Sequence, residues 1–141
     1  MEKKESHGAA ENAAYYYGVR LLIRNTSISV SEINAALDME PDYSWEAGEN
    51  NCKHTMWGHT SWTEGKRLFF EEVHDILDWL HEREEFVSRL LSTGGELLVI
   101  VQLPGTMNIG SELLPETMSL ASSLGVRLGI EVFPGMQRPA H

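Results

Sequence analysis

Residues 95–103 read GELLVIVQL, an almost unbroken apolar run between the turn signals Gly94-Gly95 and Pro104-Gly105. A run of this length bounded by turns is typical of a β-strand. Because one residue in two points to each face of a strand, continuous apolarity favours a strand that is buried on both faces in the middle of a sheet. The chain is therefore expected to fold around a sheet.

Three further segments alternate with the two-residue period of a strand. Residues 15–24, YYYGVRLLIR, put their apolar odd-numbered members on one face. Residues 56–62 put Trp57, His59 and Ser61 on one face, and residues 127–133 do the same with Leu128, Ile130 and Val132. The sequence thus predicts four strands.

Helices are indicated by apolar repeats and by end signals. Ser29 and Glu32 have capping-box spacing, so a helix of about ten residues should follow Ser29 and end before Pro41. Residues 67–92 carry apolar residues three and four apart, which predicts one long helix. A third helix is expected to begin at Pro115 and end at Gly125.

This order of elements predicts an α+β fold: a two-layer sandwich of about four strands in a mixed or antiparallel sheet, with helices packed on one face. The length of 141 residues suits one domain. We expect residues 1–13 to form a flexible N-terminal arm, residues 14–135 the single domain, and residues 136–141 a C-terminal tail.

Several short motifs are similar to those of a bacterial family known only as domain of unknown function 4279. They are Pro-x-x-x-Trp-x-x-Gly at residues 41–48, Met56-Trp57 with Ser61, and the ending that runs from Leu120-Ala121 to Val132-Phe133. The resemblance covers residues 15–133. Asp42 departs from the usual small hydroxyl residue, and Phe133 from the frequent tyrosine. The resemblance implies an α+β fold and implies no chemistry.

The composition disfavours several classes of function. The formal charge of −10, from 21 acidic and 11 basic residues, repels phosphate backbones, and no basic patch offsets it, so nucleic-acid binding is not expected. No apolar run approaches the roughly 20 residues of a membrane span, and the N-terminus lacks a secretory signal, so we expect a cytoplasmic protein.

Cys52 is the only cysteine, which rules out an intramolecular disulfide. Phosphate-binding loops are absent, and no cofactor is expected.

Residues 44–62, SWEAGENNCKHTMWGHTSW, hold three of the four tryptophans and form the candidate site. One hypothesis is that Trp45, Trp57 and Trp62, together with Tyr43, line a groove beside the sheet, since tryptophan is enriched at binding hot spots, but the core interpretation that follows is favoured for Trp45 and Trp57. The alternative is that Trp45 and Trp57 fill the core while Trp62, at the end of its strand, is exposed. Trp79 on the long helix is expected to reach a neighbouring element or a second chain.

Histidines offer two weaker constellations. Cys52, His54 and His59 are zinc-type ligands or a nucleophile with its base, but three donors at this spacing fall short of a recognised metal or catalytic motif. His74, Asp78 and His81 share a helix face, but Glu71, Asp75, Glu82 and Glu85 crowd the same side, and a solvated acidic surface explains the set without any function. No metal is expected at either place, and the first set stays an open question.

Two functional hypotheses follow. The first is a non-catalytic module that recognises a protein partner, with an immunity-like or inhibitory role as one form. The second is a small-ligand protein or enzyme whose pocket lies between residues 41–62 and the sheet and uses His54, His59 or Glu46. The binding residues expected under one or the other are Trp45, His54, Trp57, His59 and Trp62. Monomer and homodimer both remain open.

Overall fold

A computed structural model describes residues 15–135 and contains a five-stranded mixed sheet. In chain order the strands are β1 Tyr15–Thr26, β2 Tyr43–Trp45, β3 Thr55–Gly65, β4 Glu96–Pro104 and β5 Arg127–Phe133. Across the sheet they lie in the order β2-β3-β1-β4-β5. The β4–β5 pair is parallel and the other pairs are antiparallel.

Four helices pack against the sheet, and their bounds are α1 Val30–Leu37, α2 Phe69–His81, α3 Glu84–Ser92 and α4 Pro115–Leu124. A single turn of 3₁₀ helix spans Glu49–Asn51. The α+β prediction is confirmed, with one strand more than the four expected. The expected N-terminal arm and C-terminal tail, residues 1–13 and 136–141, lie outside the described residues.

The core lies between the helices and one face of the sheet. On β1 it takes the alternate residues Tyr17, Val19, Leu21 and Ile23, as the two-residue period predicts. The remaining core side chains include Leu97, Val99 and Val101 of β4, Ile33 and Leu37 of α1, Val73, Leu77 and Leu80 of α2, Val87 and Leu90 of α3, and Ala121 and Leu124 of α4. Each large apolar side chain buried in this way stabilises the fold by about 1.5–3 kcal/mol.

The other sheet face, which we call the open face, carries no helix of the described chain. Strand β4 lies inside the sheet between β1 and β5, as its apolar run predicts. Its open-face residues Ile100 and Gln102 are nevertheless buried, at 8% and 3% exposure. Both have partners on strand β5: Ile100 lies next to Gly129, and Gln102 donates a hydrogen bond to Glu131 at 3.2 Å.

The predicted long helix over residues 67–92 is wrong, because the chain forms two helices there. Helix α2 ends at His81 and α3 begins at Glu84. The apolar stripe breaks at the same place: Leu80 is buried, the positions one turn later are Arg83 and Glu84, and the stripe resumes at Phe86. Arg83 leaves the helical conformation, with φ −117° and ψ 29°, and this lets α3 turn its own apolar face to the core.

Strand β2 lies between the first predicted helix and the strand predicted at residues 56–62, in a segment where the sequence predicts no strand. It has only three residues, and its partner β3 is longer than expected, running to Gly65. Ser44 lies opposite Trp57, and this register places Tyr43 and Trp45 on the open face. The short strand is formed by this pairing with β3, which no local pattern within residues 41–55 reveals.

The helix-end signals perform as predicted. Ser29 accepts a hydrogen bond from the Glu32 amide at 3.2 Å, and α1 begins at the next residue. Pro115 is the first residue of α4, and Gly125 ends that helix with φ 73°. The hydrophobic pair Ile28 and Ile33 is buried across the start of α1.

Candidate functional site

Four aromatic side chains gather on the open face at its β2–β3–β1 end, and we call them the aromatic patch: Tyr16, Tyr43, Trp45 and Trp62. Register places them there, since Tyr43 lies opposite Gly58 and Trp45 opposite Met56, while Trp62 lies opposite Gly18. Trp45 is 41% exposed and Trp62 is 48% exposed. Two of the three predicted tryptophans therefore reach the surface of one sheet face.

The aromatic patch is held by stacking and by glycines. The Trp62 ring stacks on Tyr16, with centroids 5.3 Å apart and planes 6° from parallel, and it covers Gly18 so closely that a Cβ there would come within 2.8 Å. Tyr43 covers Gly58 in the same way and meets Trp45 edge to face at 5.6 Å. These contacts hold the rings of Tyr16, Tyr43 and Trp62 against the sheet.

A charged group borders the aromatic patch. The Arg20 guanidinium lies 5.9 Å from the centre of the Tyr43 ring and 3.7 Å from the Glu131 carboxylate. Gln102 donates to the same Glu131 oxygen at 3.2 Å. The Arg20 Nε is buried and has no hydrogen-bond partner among the described residues. The patch thus combines aromatic rings with a buried donor that has no hydrogen-bond partner within residues 15–135.

Trp57 is a core residue. Its side chain is 0% exposed, and its indole nitrogen donates to Asn34 Oδ1 at 2.8 Å. It therefore joins β3 to α1 and is not available to a binding partner. The alternative interpretation, in which a tryptophan of this segment fills the core, holds for Trp57 and not for Trp45.

His59 lines a small cavity between the sheet and α2. The cavity has a volume of about 180 Å³ and apolar walls that include Val19, Leu21 and Ile76, with Ser61, Glu72 and Asp75 among its polar groups. Met39 and Trp79 complete the wall of this cavity. The Arg83 guanidinium lies over the Trp79 ring, 4.1 Å from the ring centre. The His59 ring places Nδ1 3.0 Å from the Glu40 carbonyl oxygen.

His54 and Cys52 stand apart from His59. His54 is exposed, and Cys52 is half-buried with its sulfur 4.0 Å from the Asn50 carbonyl oxygen. Within residues 15–135 no three histidine, cysteine or acidic side chains are grouped so as to hold a metal ion. The structure therefore does not bring the proposed Cys52–His54–His59 set together.

Glu46, a candidate pocket residue, instead ties the loop to the start of α1. Its carboxylate accepts from the Val30 amide at 3.0 Å and from the Thr55 hydroxyl at 3.4 Å. The Thr55 hydroxyl also accepts from the Ala47 amide at 3.2 Å. A carboxylate is favourable at a helix N-terminus, where amide groups have no partner within the helix. Its position indicates a structural role.

The second histidine set is divided between different neighbours. His74 Nδ1 contacts the hydroxyl of buried Thr117 at 2.8 Å, which links α2 to α4, and its Nε2 lies 3.5 Å from Asp78. His81 lies 3.7 Å from Glu84 instead. The three residues therefore do not converge on one point.

Two pKa shifts occur in the sheet. Burial raises the pKa of the Tyr17 phenol, and the nearby Glu72 carboxylate raises it further. A hydrogen bond from Arg24 lowers the pKa of Glu96, and the Arg127 charge acts in the same direction. Neither group belongs to the aromatic patch.

Sequence reasoning missed Tyr16 and Arg20, because residues 15–24 were judged by their core face alone. A usable signal was present in the strand glycines. Gly18 and Gly58 interrupt β-patterned segments, and a glycine within a strand often marks close approach by another group. Here the approaching groups are Trp62 and Tyr43.

Fold and site define a small α+β domain with one helix-covered sheet face and one open aromatic face. Within residues 15–135 no helix is long and apolar enough to cross a membrane. The family model for the domain of unknown function DUF4279 matches residues 13–133, so the chain belongs to that family. Searches of curated proteins and of solved structures found no match to the chain.

Proposed function

We propose that this chain is a non-catalytic binding module of the bacterial cytoplasm that recognises a basic protein through its aromatic patch. The single observation that carries the proposal is the exposure of Trp45 and Trp62, at 41% and 48%, on a sheet face that carries no helix within residues 15–135. Tryptophan and tyrosine side chains at the centre of an interface commonly supply most of its binding free energy. Inhibition of the partner, as by an immunity protein, is one form of this function.

The rigidity of the aromatic patch supports this assignment. Stacking of Trp62 on Tyr16 and the edge contact of Tyr43 with Trp45 leave few rotamers to be frozen on binding. Because ordering a side chain costs about 0.5–1.5 kcal/mol, pre-ordered rings contribute more of their contact energy to affinity. Beside Tyr43, the buried Arg20 Nε has no hydrogen-bond partner among residues 15–135 and is a donor that a partner carbonyl would satisfy.

Charge indicates the class of partner. Residues 40–64, which carry Tyr43, Trp45 and Trp62, contain five carboxylates and one lysine. The carboxylates are Glu40, Asp42, Glu46, Glu49 and Glu64. Complementary charge speeds association and disfavours like-charged partners. A protein with a positively charged surface around an apolar recess therefore fits this region.

The experiment compares the full chain with the double variant W45A/W62A. Immobilised wild-type protein captures partners from a cell lysate, and any captured protein is then purified and titrated against both forms by calorimetry. We expect the double variant to weaken binding by about 30-fold or more, the equivalent of one 2 kcal/mol hot spot. Binding should also weaken as salt is raised, since opposite charges face each other.

The matched control is L114A/M118A, which removes two apolar side chains of similar exposure, 53% and 47%, outside the aromatic patch. It should bind as the wild type does. The proposal fails if no protein binds saturably, if the captured protein binds W45A/W62A as tightly as wild type, or if the control weakens binding equally. Circular dichroism on each variant checks that the fold is intact.

A small-ligand site at the His59 cavity is the second candidate, and the contact of His59 with the Glu40 carbonyl favours it. A carbonyl oxygen only accepts, so His59 Nδ1 donates to Glu40 and Nε2 of the neutral ring is an acceptor. With apolar walls and about 180 Å³ of volume, the cavity suits a small aromatic ligand that bears one hydrogen-bond donor.

Phenol and indole are suitable probes for this second candidate. Binding should shift the methyl NMR signals of Val19 and Leu21 saturably, and H59F should abolish the effect. H54A, which alters an exposed histidine outside the cavity, should leave it unchanged. Shifts that do not saturate, or that persist in H59F, would eliminate this candidate without affecting the protein-partner proposal.

A further inference from the structure

Strand β5 forms one edge of the sheet, and its outer side carries no strand of the described chain. Every second residue of such a strand directs its N–H and C=O groups outward, where they are free to pair. Ile130 and Val132 of β5 are 55% and 56% exposed, although they lie on the same sheet face as the core. The edge thus offers both backbone groups and apolar side chains.

The opposite edge of the sheet is protected in a way that β5 is not. There β2 has three residues and follows Pro41. Asp42 closes the chain against β3: its amide donates to the Gly58 carbonyl at 2.7 Å, and its carboxylate accepts from the Thr60 amide at 2.6 Å. Strand β5 has seven residues, RLGIEVF, with no proline or lysine. Natural sheets usually blunt a free edge of this kind, so one that is left open indicates a pairing surface.

We propose that β5 pairs with β5 of a second copy of this chain, in an antiparallel arrangement about a twofold axis. A twofold interface uses the same surface on both copies, so the strand must complement itself. Pairing would join two five-stranded sheets into one of ten strands. The surface is separate from the aromatic patch, which lies at the other end of the open face.

Self-complementarity limits the possible registers, and pairing of opposite charges favours one of them. Residues that lie opposite each other in an antiparallel pair point to the same face of the sheet. In β5 residues on one face are all odd-numbered or all even-numbered, so the numbers of two paired residues must add up to an even value. A pairing that sets Glu131 opposite Glu131 brings like charges together and is excluded. The pairing that sets Gly129 opposite Gly129 brings Arg127 opposite Glu131 of the second copy, twice, and Leu128 opposite Ile130, twice. This register pairs opposite charges with each other and apolar side chains with each other.

The existing contacts of the charged residues are compatible with this register. Arg127 contacts Glu96 through one guanidinium nitrogen, at 3.1 Å, and guanidinium has further donors. Glu131 uses its Oε1 for both Arg20 and Gln102. Oε2 can then accept from Arg127 of the second copy.

Sedimentation velocity of the full chain over a range of concentrations tests the proposal. We expect a reversible shift from one chain to two as concentration rises. I130K places a charge on the free edge and should weaken the dimer by about tenfold or more. The matched control M118K changes a residue of similar exposure, 47%, on α4 and should leave dimerisation unchanged.

Charge exchange tests the register. R127E alone or E131R alone places like charges opposite each other twice and should weaken the dimer, whereas R127E/E131R restores opposite charges and should recover it. A wild-type protein that stays monomeric, a dimer that I130K does not weaken, or a double variant that dimerises no better than the single variants would overturn the proposal. A thermal melt of each variant shows that loss of the dimer is not loss of the fold.

Discussion

The indole nitrogen of Trp57 donates a hydrogen bond to the side-chain oxygen of Asn34 across 2.8 Å, and this bond joins the interior of β3 to the exposed side of α1. Trp57 is fully buried and Asn34 is half-buried. The bond satisfies the only polar atom of a side chain that otherwise packs as a hydrocarbon. Tryptophan is common in binding sites, but at position 57 its role is to stabilise the fold.

The first prediction concerns that bond. W57F removes the donor and part of the ring volume, so Asn34 loses its partner and a cavity opens in the core. The free energy of unfolding should fall by about 2–4 kcal/mol. Urea denaturation measures it. W62F, at a residue that is 48% exposed, is the matched control and should change stability by less than about 1 kcal/mol. A W57F protein as stable as wild type would show that the buried bond contributes nothing.

The second prediction concerns Gly58, over which the Tyr43 ring lies. A Cβ at this position would come within 2.6 Å of Tyr43 ring atoms, so G58A must displace the ring from the sheet. We expect a loss of about 1–3 kcal/mol in unfolding free energy and a changed near-ultraviolet circular dichroism of the tyrosines. G110A is the control, since nothing lies within 4 Å of a Cβ there. An unchanged spectrum in G58A would mean that Tyr43 does not rest on the strand.

Most of the fold could be predicted because periodicity and end signals report local structure. The alternation in residues 15–24, the apolar run of β4 and the capping of α1 by Ser29 each depend on neighbours in sequence. The division of residues 67–92 was missed although Arg83 and Glu84 interrupt the apolar stripe there. An interruption of one turn is common in single helices, and only the packing of α3 on the sheet makes it a boundary.

The candidate site was harder to predict because it depends on strand pairing. Sequence reasoning could name Trp45, Trp57 and Trp62 as a group. It could not place Trp57 in the core and the other two on the open face, since that requires the register of β2 on β3. Residue types alone likewise grouped Glu46 with the histidines, whereas its carboxylate accepts from the Val30 amide at the start of α1.

The third prediction concerns Tyr17. Its hydroxyl is buried and has no hydrogen-bond partner among the described residues, although the neighbouring Thr63 side chain slightly opposes the rise in its pKa. Burial, followed by Glu72, raises its pKa above the ordinary value of 10.0. Above pH 10 the unfolded chain therefore releases this proton before the folded chain does, so rising pH favours unfolding. Well below pH 10 both the folded and the unfolded chain keep this proton, so the titration of Tyr17 does not change the free energy of unfolding there.

Y17F should accordingly keep the wild-type free energy of unfolding at pH 7, or raise it by up to about 1 kcal/mol, because it removes an unsatisfied hydroxyl. Between pH 10 and the pH at which wild type unfolds, it should lose stability less steeply. Urea denaturation at a series of pH values measures both. A variant that is clearly less stable at pH 7, or one with the wild-type alkaline slope, would contradict this account.

The fourth prediction concerns Glu46, which connects the loop after β2 to the first turn of α1. E46A removes the acceptor of the Val30 amide and should lower the free energy of unfolding by about 1 kcal/mol, the usual cost of losing a helix cap. E46Q keeps an oxygen acceptor without the charge and should lose less. Hydrogen exchange at the Val30 amide should accelerate in E46A, while E49A, at an exposed glutamate of the same loop, should leave it unchanged. Equal exchange in E46A and wild type would mean that the carboxylate does not hold the start of α1.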